Sequence, residues 1–571
     1  MTVQSETPEP RVAALARVTA PGTRFEVVEE DVRGHRMPVF KNRHRCLLEV
    51  LKESARYGDR EYLVCGELRL TYAEHLRRVA SLSQEMRLTY RIGKGDRVAI
   101  FSANNAEWIV AFWAATALGA IVVGMNSLWS AREVAYAMTQ CTPKLVIADA
   151  PRRALLGEVA VPVLSTEDDV PRLSLGHRAA ELPVDTMAED EPAVILFTSG
   201  TTGRAKGATH SHRNVIAAKD YFQVIDAVAA ELGVVPAPRR FLMTGPLFHI
   251  MSLHNLAVPR LAFGDTAVIY TGRFEVDRIL RLIERERITQ WGAVPTMASR
   301  LIEHGDLSGY DLSSFTVLSL GSAPSSESLK RALRATLPIA GRSLGTTYGL
   351  TESSTAATLA TAADLARYPD SVGTPVVTMA VEIRDEGGAR VIDGVEGEIC
   401  VRGPQVMLGY WNDPEATAAA IDPEGWLRTG DLGTMLDGHL RMSSRRSDLI
   451  IRGGENVYPA EVESVLTEHP AVLECSVLGV DHHDLGQEVA AVVVVKAGAE
   501  VTEQGLTEFL RDRIARYKLP SRWMLTDQAL PRNATGKVMR HRLALTESAL
   551  IDEGIVTGII PSACSTQGGR R

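Results

Sequence analysis

Eighteen consecutive residues, Trp108–Met125 (WIVAFWAATALGAIVVGM), carry no charge and almost no polarity. A run of that length either crosses a bilayer or lies inside a large protein core. Gly119 interrupts it after a helical pattern, and the following IVVGMN has the β-branched character of a buried parallel strand ending at Asn126. The segment therefore predicts a core helix followed by a core strand, with no integral membrane span. Short apolar strands recur around it, VAIF (Val98–Phe101), LVIA (Leu145–Ala148), VILF (Val194–Phe197) and AVIY (Ala267–Tyr270), separated by helical patterns, which is the signature of a layered α/β architecture.

Length and composition set the frame. The chain has 571 residues, 45% hydrophobic and 23% charged, enough for about three or four domain-sized units with sizeable cores. A net charge of −8 without a long basic run gives no footprint for nucleic acid. Cys46, Cys65, Cys141, Cys400, Cys475 and Cys564 are scattered without a CxxC pair, a usage that points to a reducing compartment and away from structural zinc. The first twenty residues lack the apolar core of a signal peptide, so the expected location is cytoplasmic. RVAALARV (Arg11–Val18) fits a short helix. His482-His483-Asp484 reads as a solvated turn for want of further ligands at suitable spacing. Peripheral membrane contact and oligomeric state, including a homodimer, stay open.

From Val376 to Met442 the pattern changes to short alternating strands with turns such as Asp437-Gly438, predicting a small β-rich subdomain. Beyond Arg445, a helix opening near Pro459, strands VLECSVLGV and VAAVVVV, and a helix over Glu503–Arg516 predict an α+β unit. The tail after Ile560 has a disordered composition.

Chemistry concentrates in TSGTTGRAKG (Thr198–Gly207), which the strand Ala193–Phe197 delivers. Gly200, Gly203 and Gly207 permit close backbone approach, so N–H groups can converge on phosphate oxygens. Thr198, Ser199, Thr201 and Thr202 add hydroxyl donors and Lys206 a point charge. Lys206 is followed by Gly207 and the β-like Ala208–Ser211, so this is not a Walker A loop. On composition alone an ordinary flexible loop is the simpler reading.

The loop and a series of further motifs resemble the acyl-adenylate-forming superfamily, which includes acyl-CoA synthetases, peptide-synthetase adenylation domains and firefly-type luciferases. In the family's order these are PLFH (Pro246–His249), GSAP (Gly321–Pro324), YGLTE (Tyr348–Glu352), GEICVRGP (Gly397–Pro404) and GYWNDPEAT (Gly409–Thr417). GWLRTGD (Gly425–Asp431), RRSDLIIRGGENVYPAEVE (Arg445–Glu463), YKLP (Tyr517–Pro520) and PRNATGK (Pro531–Lys537) follow. The ordered succession covers about residues 42–550. It implies a large N-terminal AMP-binding domain (1–444) of layered α/β subdomains plus the β-rich one, a hinge at 445–448, and a smaller mobile α+β C-terminal domain (449–571), its tail disordered from about residue 552.

The same resemblance implies residue roles and co-substrates. Thr198–Lys206 would hold the β- and γ-phosphates of ATP, Thr351 the α-phosphate, and Glu352 a Mg²⁺ ion, a hard cation suited to oxygen ligands. Tyr348 would stack on the adenine, with Gly349 beside it and Ser322, Ala323 and Pro324 lining the adenine side; a buried core tyrosine is the rival reading. Asp431 would accept both ribose hydroxyls, supported by Arg445. His249 would gate the carboxylate pocket, and it offers no fixed negative charge for an α-ammonium group, which favours an acid lacking one. Gly345 and Thr346 would floor the acyl pocket. Lys537 would bridge the substrate carboxylate and α-phosphate during adenylation, and Gly453-Gly454 would line the coenzyme A tunnel in a second orientation of the C-terminal domain.

The activity implied is that of an acid–thiol ligase: a fatty or other acyl or aryl acid is converted to acyl-AMP with release of pyrophosphate, and then to acyl-CoA with release of AMP. Loading of a carrier protein, a luciferase-like oxygenase and a non-catalytic ATP-binding module are the alternatives. The chain departs from the family pattern at Ala205, where proline is usual; at Ser447, where aspartate or lysine is common at the hinge; and in HIMSLHN (His249–Asn255), which lacks a glycine often found there.

Overall fold

The computed structural model describes residues 8–198, 205–234, 239–321, 327–337, 339–445, 448–452, 455–482, 485–511, 513–514, 516–532 and 538–543. The apolar run Trp108–Met125 falls on a helix, Ala106–Ala117, followed by a strand, Ile121–Gly124. Asn105 starts the helix by accepting the Trp108 N–H through its side chain at 2.7 Å. Gly119, with φ +69°, turns the chain into the strand at a conformation glycine adopts without penalty. Trp108, Phe112 and Trp113 are almost wholly buried on this helix, worth about 1.5–3 kcal/mol each against exposure. Among the described residues no helix is long and apolar enough to cross a membrane.

Contacts divide the chain into two units that part between Ser447 and Asp448. The larger unit holds two long sheets. In one, seven strands run in the order Gly409–Tyr410, Lys206–Ser211, Pro192–Thr198, Ile121–Gly124, Arg97–Phe101, Leu145–Ala148 and Val163–Ser165. From Pro192–Thr198 to Val163–Ser165 the neighbours are parallel, and the first two pairings are antiparallel. In the other, a parallel set (Gly345–Gly349, Val317–Leu320, Gln290–Ala293, Arg240–Met243, Thr266–Ile269 and Glu61–Cys65) is flanked by antiparallel strands. The helix Ala106–Ala117 shares one buried cluster with both sheets, a cluster that also holds Val98 and Val122 of the first and Leu63 and Met243 of the second. This is the layered α/β architecture the strand spacing predicts.

The β-rich stretch forms strands Ala380–Arg384, Gly397–Arg402, Leu427–Leu436 and His439–Arg445. It is continuous with the second sheet, because Ser371 and Gly373 pair with Arg441 and Leu440. The expected β-rich stretch is present, and by hydrogen bonding it extends the second sheet. The sequence pattern shows where strand character begins but not which edge it extends.

The smaller unit is α+β. Val472–His482 and Gly486–Val495 form a long antiparallel pair, Arg522–Thr526 adds in parallel, and the helix Pro459–Leu466 covers the core with Val462 and Leu466. The helix expected over Glu503–Arg516 ends at Arg511, and Arg516–Lys518 is a separate 3-10 turn. The C-terminal tail, His483 and Asp484 lie outside the described residues.

Candidate active site

Ligands of open α/β sheets bind beyond the carboxyl ends of parallel strands, and three of the predicted motifs begin there. Arg240–Met243 leads into Pro246–His249, Val317–Leu320 into Gly321, and Pro192–Thr198 into the glycine-rich loop. Asn104, just past the strand Arg97–Phe101, fixes the Pro246–His249 turn from both sides: its amide donates to the Gly245 carbonyl at 2.8 Å and its Oδ1 accepts the Leu247 N–H at 2.8 Å. Space for a side chain at Gly124 is tight nearby, since a Cβ there would meet Leu196 Cδ2 at 2.9 Å and the Phe248 backbone at 3.3 Å. Gly345 and Thr346 pair with Ser319 and Leu320, which puts the expected pocket floor beside Gly321.

Thr198 and Lys206 face each other across the antiparallel pair of strands that brackets the loop. The second strand ends where Ser211 caps the helix His212–Glu231, exchanging hydrogen bonds with Asn214. On its other edge Ala208 and Thr209 pair with Tyr410 and Gly409, and the Trp411 N–H donates to the Gly207 carbonyl at 2.7 Å. This pairing brings Tyr410 to Glu352. Its hydroxyl donates to Glu352 Oε1 at 2.8 Å, and its ring lies 5.1 Å from Lys206 Nζ. Burial and the adjacent Glu352 carboxylate push the Tyr410 phenol well up, so it stays a proton donor. Thr351 and Glu352 form the 3-10 turn Thr351–Ser353, and the Met407 N–H ties that turn down by donating to the Glu352 carbonyl at 2.9 Å. Arg33 and Asn214 in turn donate to carbonyls of the Pro404–Met407 segment.

Tyr348 and Asp431 form a second pair. Both are about 95% buried, and the Tyr348 hydroxyl donates to Asp431 Oδ2 at 2.9 Å. The backbone register sets Asp431 directly opposite Arg445. Gly349 is needed here, because a Cβ would lie 2.1 Å from the Thr355 carbonyl oxygen. His249 sits at the start of the short helix Ile250–Ser252, with its ring 4.7 Å from that of Phe248. Burial pushes its pKa down to about 4, so it is neutral at physiological pH.

Among the described residues no group of three or more His, Cys, Asp or Glu is placed to hold a metal by itself. A Mg²⁺ ion bound through one or two carboxylates and substrate phosphates needs no such cage, and the Glu352 carboxylate, oriented by Tyr410, suits that donor set. Ser199, Gly200, Thr201, Thr202, Gly203, Ser322, Ala323, Pro324, Ser447, Gly453, Gly454 and Lys537 lie outside the described residues. Sequence reasoning missed Tyr410 as a partner of Glu352; the motif GYW marked its position without indicating what its hydroxyl meets.

The AMP-binding enzyme pattern matches residues 51–411, and the AMP-binding enzyme C-terminal domain pattern matches residues 461–537. The chain belongs to the AMP-binding enzyme family. It is similar to a long-chain-fatty-acid–CoA ligase of Mycobacterium tuberculosis, 34% identical over 85% of this chain and 94% of the relative. A feruloyl-CoA synthase of Amycolatopsis is 33% identical over 83% of this chain and 93% of its own length. Among solved structures, the o-succinylbenzoate CoA synthetase of Bacillus subtilis, in complex with its acyl-adenylate intermediate, superposes with a TM-score of 0.75 at 31% identity, covering 86% of this chain and 97% of that one. Similarity to this AMP-binding enzyme thus extends to ligases for fatty, aryl and succinylbenzoate acids.

Proposed function

We infer that this chain is an AMP-forming acid–CoA ligase acting on an acyl or aryl carboxylic acid. A carboxylate oxygen attacks the α-phosphorus of ATP, the bond to the β-phosphate breaks, and pyrophosphate leaves. The thiol of coenzyme A then attacks the acyl carbon of the mixed anhydride, the bond to AMP breaks, and the thiol proton passes to solvent. The ordered adenylation motifs in a chain of this family are the observation that carries the reading, supported by the described motifs that follow parallel strands of the larger unit's two sheets.

In the first step this chain's residues position the reactants and neutralise charge. Lys206 and the hydroxyls of Thr198–Thr202 hold the terminal phosphates, Thr351 donates to the α-phosphate, and Asp431 accepts the ribose hydroxyls while Tyr348 packs against the adenine, with Arg445 and Ser322–Pro324 completing that side. Glu352, fixed by Tyr410, holds Mg²⁺, which when bound neutralises phosphate charge. Neutral His249 bounds the carboxylate pocket. Lys537 supplies positive charge where carboxylate and α-phosphate meet, and Gly453-Gly454 admit the pantetheine arm. The chain works in the cytoplasm, a placement supported by the five described cysteines all being free thiols.

The test is pyrophosphate release with ATP and Mg²⁺ over a panel of fatty, aryl, alicyclic and amino acids, with and without coenzyme A. Turnover requiring one class of carboxylic acid and coenzyme A is expected. Release unaffected by coenzyme A would move the second step to a carrier protein, and silence with every acid would reject the ligase.

A further inference from the structure

A second layer of the site lies behind Glu352. His254 occupies a π-helical turn, Leu253–Ala257, inserted between the helices Ile250–Ser252 and Val258–Phe263. Such turns are rare and concentrate at functional sites. The His254 side chain is fully buried, and its Nδ1 lies 2.9 Å from the hydroxyl and 3.2 Å from the carbonyl oxygen of Ser354. His210 packs edge-on against it, ring centroids 5.0 Å apart at 82°, and so fixes its plane. Burial holds the pKa of His254 down at about 3, which makes it a neutral hydrogen-bonding group.

Ser354 is the residue that needs holding. It is fully buried and adopts φ +62°, the left-handed region. An L-residue is about 5- to 30-fold less populated there than in its ordinary conformations, and such a residue persists only where its surroundings over-determine it. It closes the turn that carries Thr351 and Glu352, donating its N–H to the Thr351 carbonyl at 3.1 Å, while the Thr355 N–H donates to the Ser353 carbonyl at 2.7 Å. The next residue, Thr355, packs closely on Gly349, where a Cβ would lie 2.1 Å from the Thr355 carbonyl oxygen.

We propose that His254 is a positioning residue for the nucleotide site: its hydrogen bonding to Ser354 locks the left-handed close of the Thr351–Ser353 turn and thereby aims Thr351 and Glu352. The proposal rests on the adenylation reading, in which these two residues meet Mg²⁺·ATP. His254 touches neither nucleotide nor acid in this role. An asparagine, whose amide atoms occupy the place of Nδ1, should replace it; a leucine should not. Glycine at 354 adopts the left-handed conformation without penalty and should relieve the need for His254.

The experiment is calorimetric titration of Mg²⁺·ATP, without acid, into the full-length wild type, His254→Leu, His254→Asn, Ser354→Gly and the double variant H254L/S354G, with melting curves to confirm folding. His254→Leu should weaken binding by about 10- to 100-fold, the usual effect of removing a support behind a ligating residue. His254→Asn should bind nearly as wild type, and the double variant should recover most of the loss. Should His254→Leu fail to fold, Ser354→Ala and Ser354→Gly make the same test: both lose the hydroxyl, but only alanine keeps the backbone penalty, so Ser354→Gly should bind more tightly. Wild-type affinity in His254→Leu, equal damage from asparagine and leucine, a double variant no better than His254→Leu, or Ser354→Ala binding as tightly as Ser354→Gly would each overturn the proposal. Absence of Mg²⁺·ATP binding by the wild type would instead overturn the adenylation reading beneath it.

Discussion

Replacing Tyr410 by phenylalanine removes one oxygen and keeps the ring, so it isolates the hydrogen bond to Glu352 from the contact with Lys206. The donor lies 2.8 Å from a carboxylate oxygen in a half-buried setting. Hydrogen bonds to charged groups are worth about 1.5–3 kcal/mol net, which corresponds to roughly 10- to 150-fold, and partial exposure places the expectation at the low end. The assay is ATP–pyrophosphate exchange measured across Mg²⁺ concentration. Tyr410→Phe should need more Mg²⁺ to reach half-maximal exchange, because the carboxylate that would hold the ion loses its fixed orientation. Tyr410→Leu should be worse by a further 2- to 5-fold or so, since the ring 5.1 Å from the Lys206 ammonium is lost as well and exposed cation–π contacts are worth about 0.5–1 kcal/mol. Unchanged exchange and Mg²⁺ dependence in Tyr410→Phe would refute the role given to this pair, and identical phenylalanine and leucine variants would refute the part assigned to the ring.

Three further outcomes are expected. His75, His212 and His254 are held neutral by burial, with pKa values pushed down to about 3, 4 and 3 from 6.5. The unfolded chain therefore takes up protons first as pH falls below 6.5, and stability present above that pH is lost on the way down, by about 2 kcal/mol per histidine at pH 5. Melting temperature should fall steeply between pH 7 and 5, and a flat profile would contradict neutral burial. Gly373→Ala should lower the melting temperature through a loss of about 3 kcal/mol or more, since its φ is +107° and a Cβ would lie 1.9 Å from the Leu359 carbonyl carbon; a melting curve matching wild type would show that the neighbouring strand yields. Lys537→Ala should abolish acyl-AMP formation, at a cost on the order of 10²- to 10³-fold or more, while leaving thioester formation from supplied acyl-adenylate largely intact; equal loss in both half-reactions would remove Lys537 from the adenylation step.

What the sequence made legible is local. Gly119 between an apolar helix and a β-branched strand resolved the longest hydrophobic run correctly, because a helix-ending glycine and a strand preference act over a few residues. The strands on either side of the glycine-rich loop were readable for the same reason. The Tyr410–Glu352 pair was not, because it depends on a two-residue strand joining the edge of a sheet some 200 residues upstream, a pairing with too few side chains to leave a pattern. The extension of the second sheet through Ser371 and Gly373 was hidden likewise, since strand propensity does not specify a neighbour. The left-handed Ser354 was invisible for a different reason: serine carries no signal for positive φ, and the conformation is imposed by a histidine a hundred residues away.

The measurement that most directly tests the account follows oxygen. With a carboxylic acid labelled with ¹⁸O in both carboxyl positions, ATP, Mg²⁺ and coenzyme A, the account predicts AMP carrying one labelled oxygen and a thioester retaining the other, because the carboxylate itself attacks the α-phosphorus. Label in inorganic phosphate with ADP as product, or thioester formed beside unlabelled AMP, would contradict it.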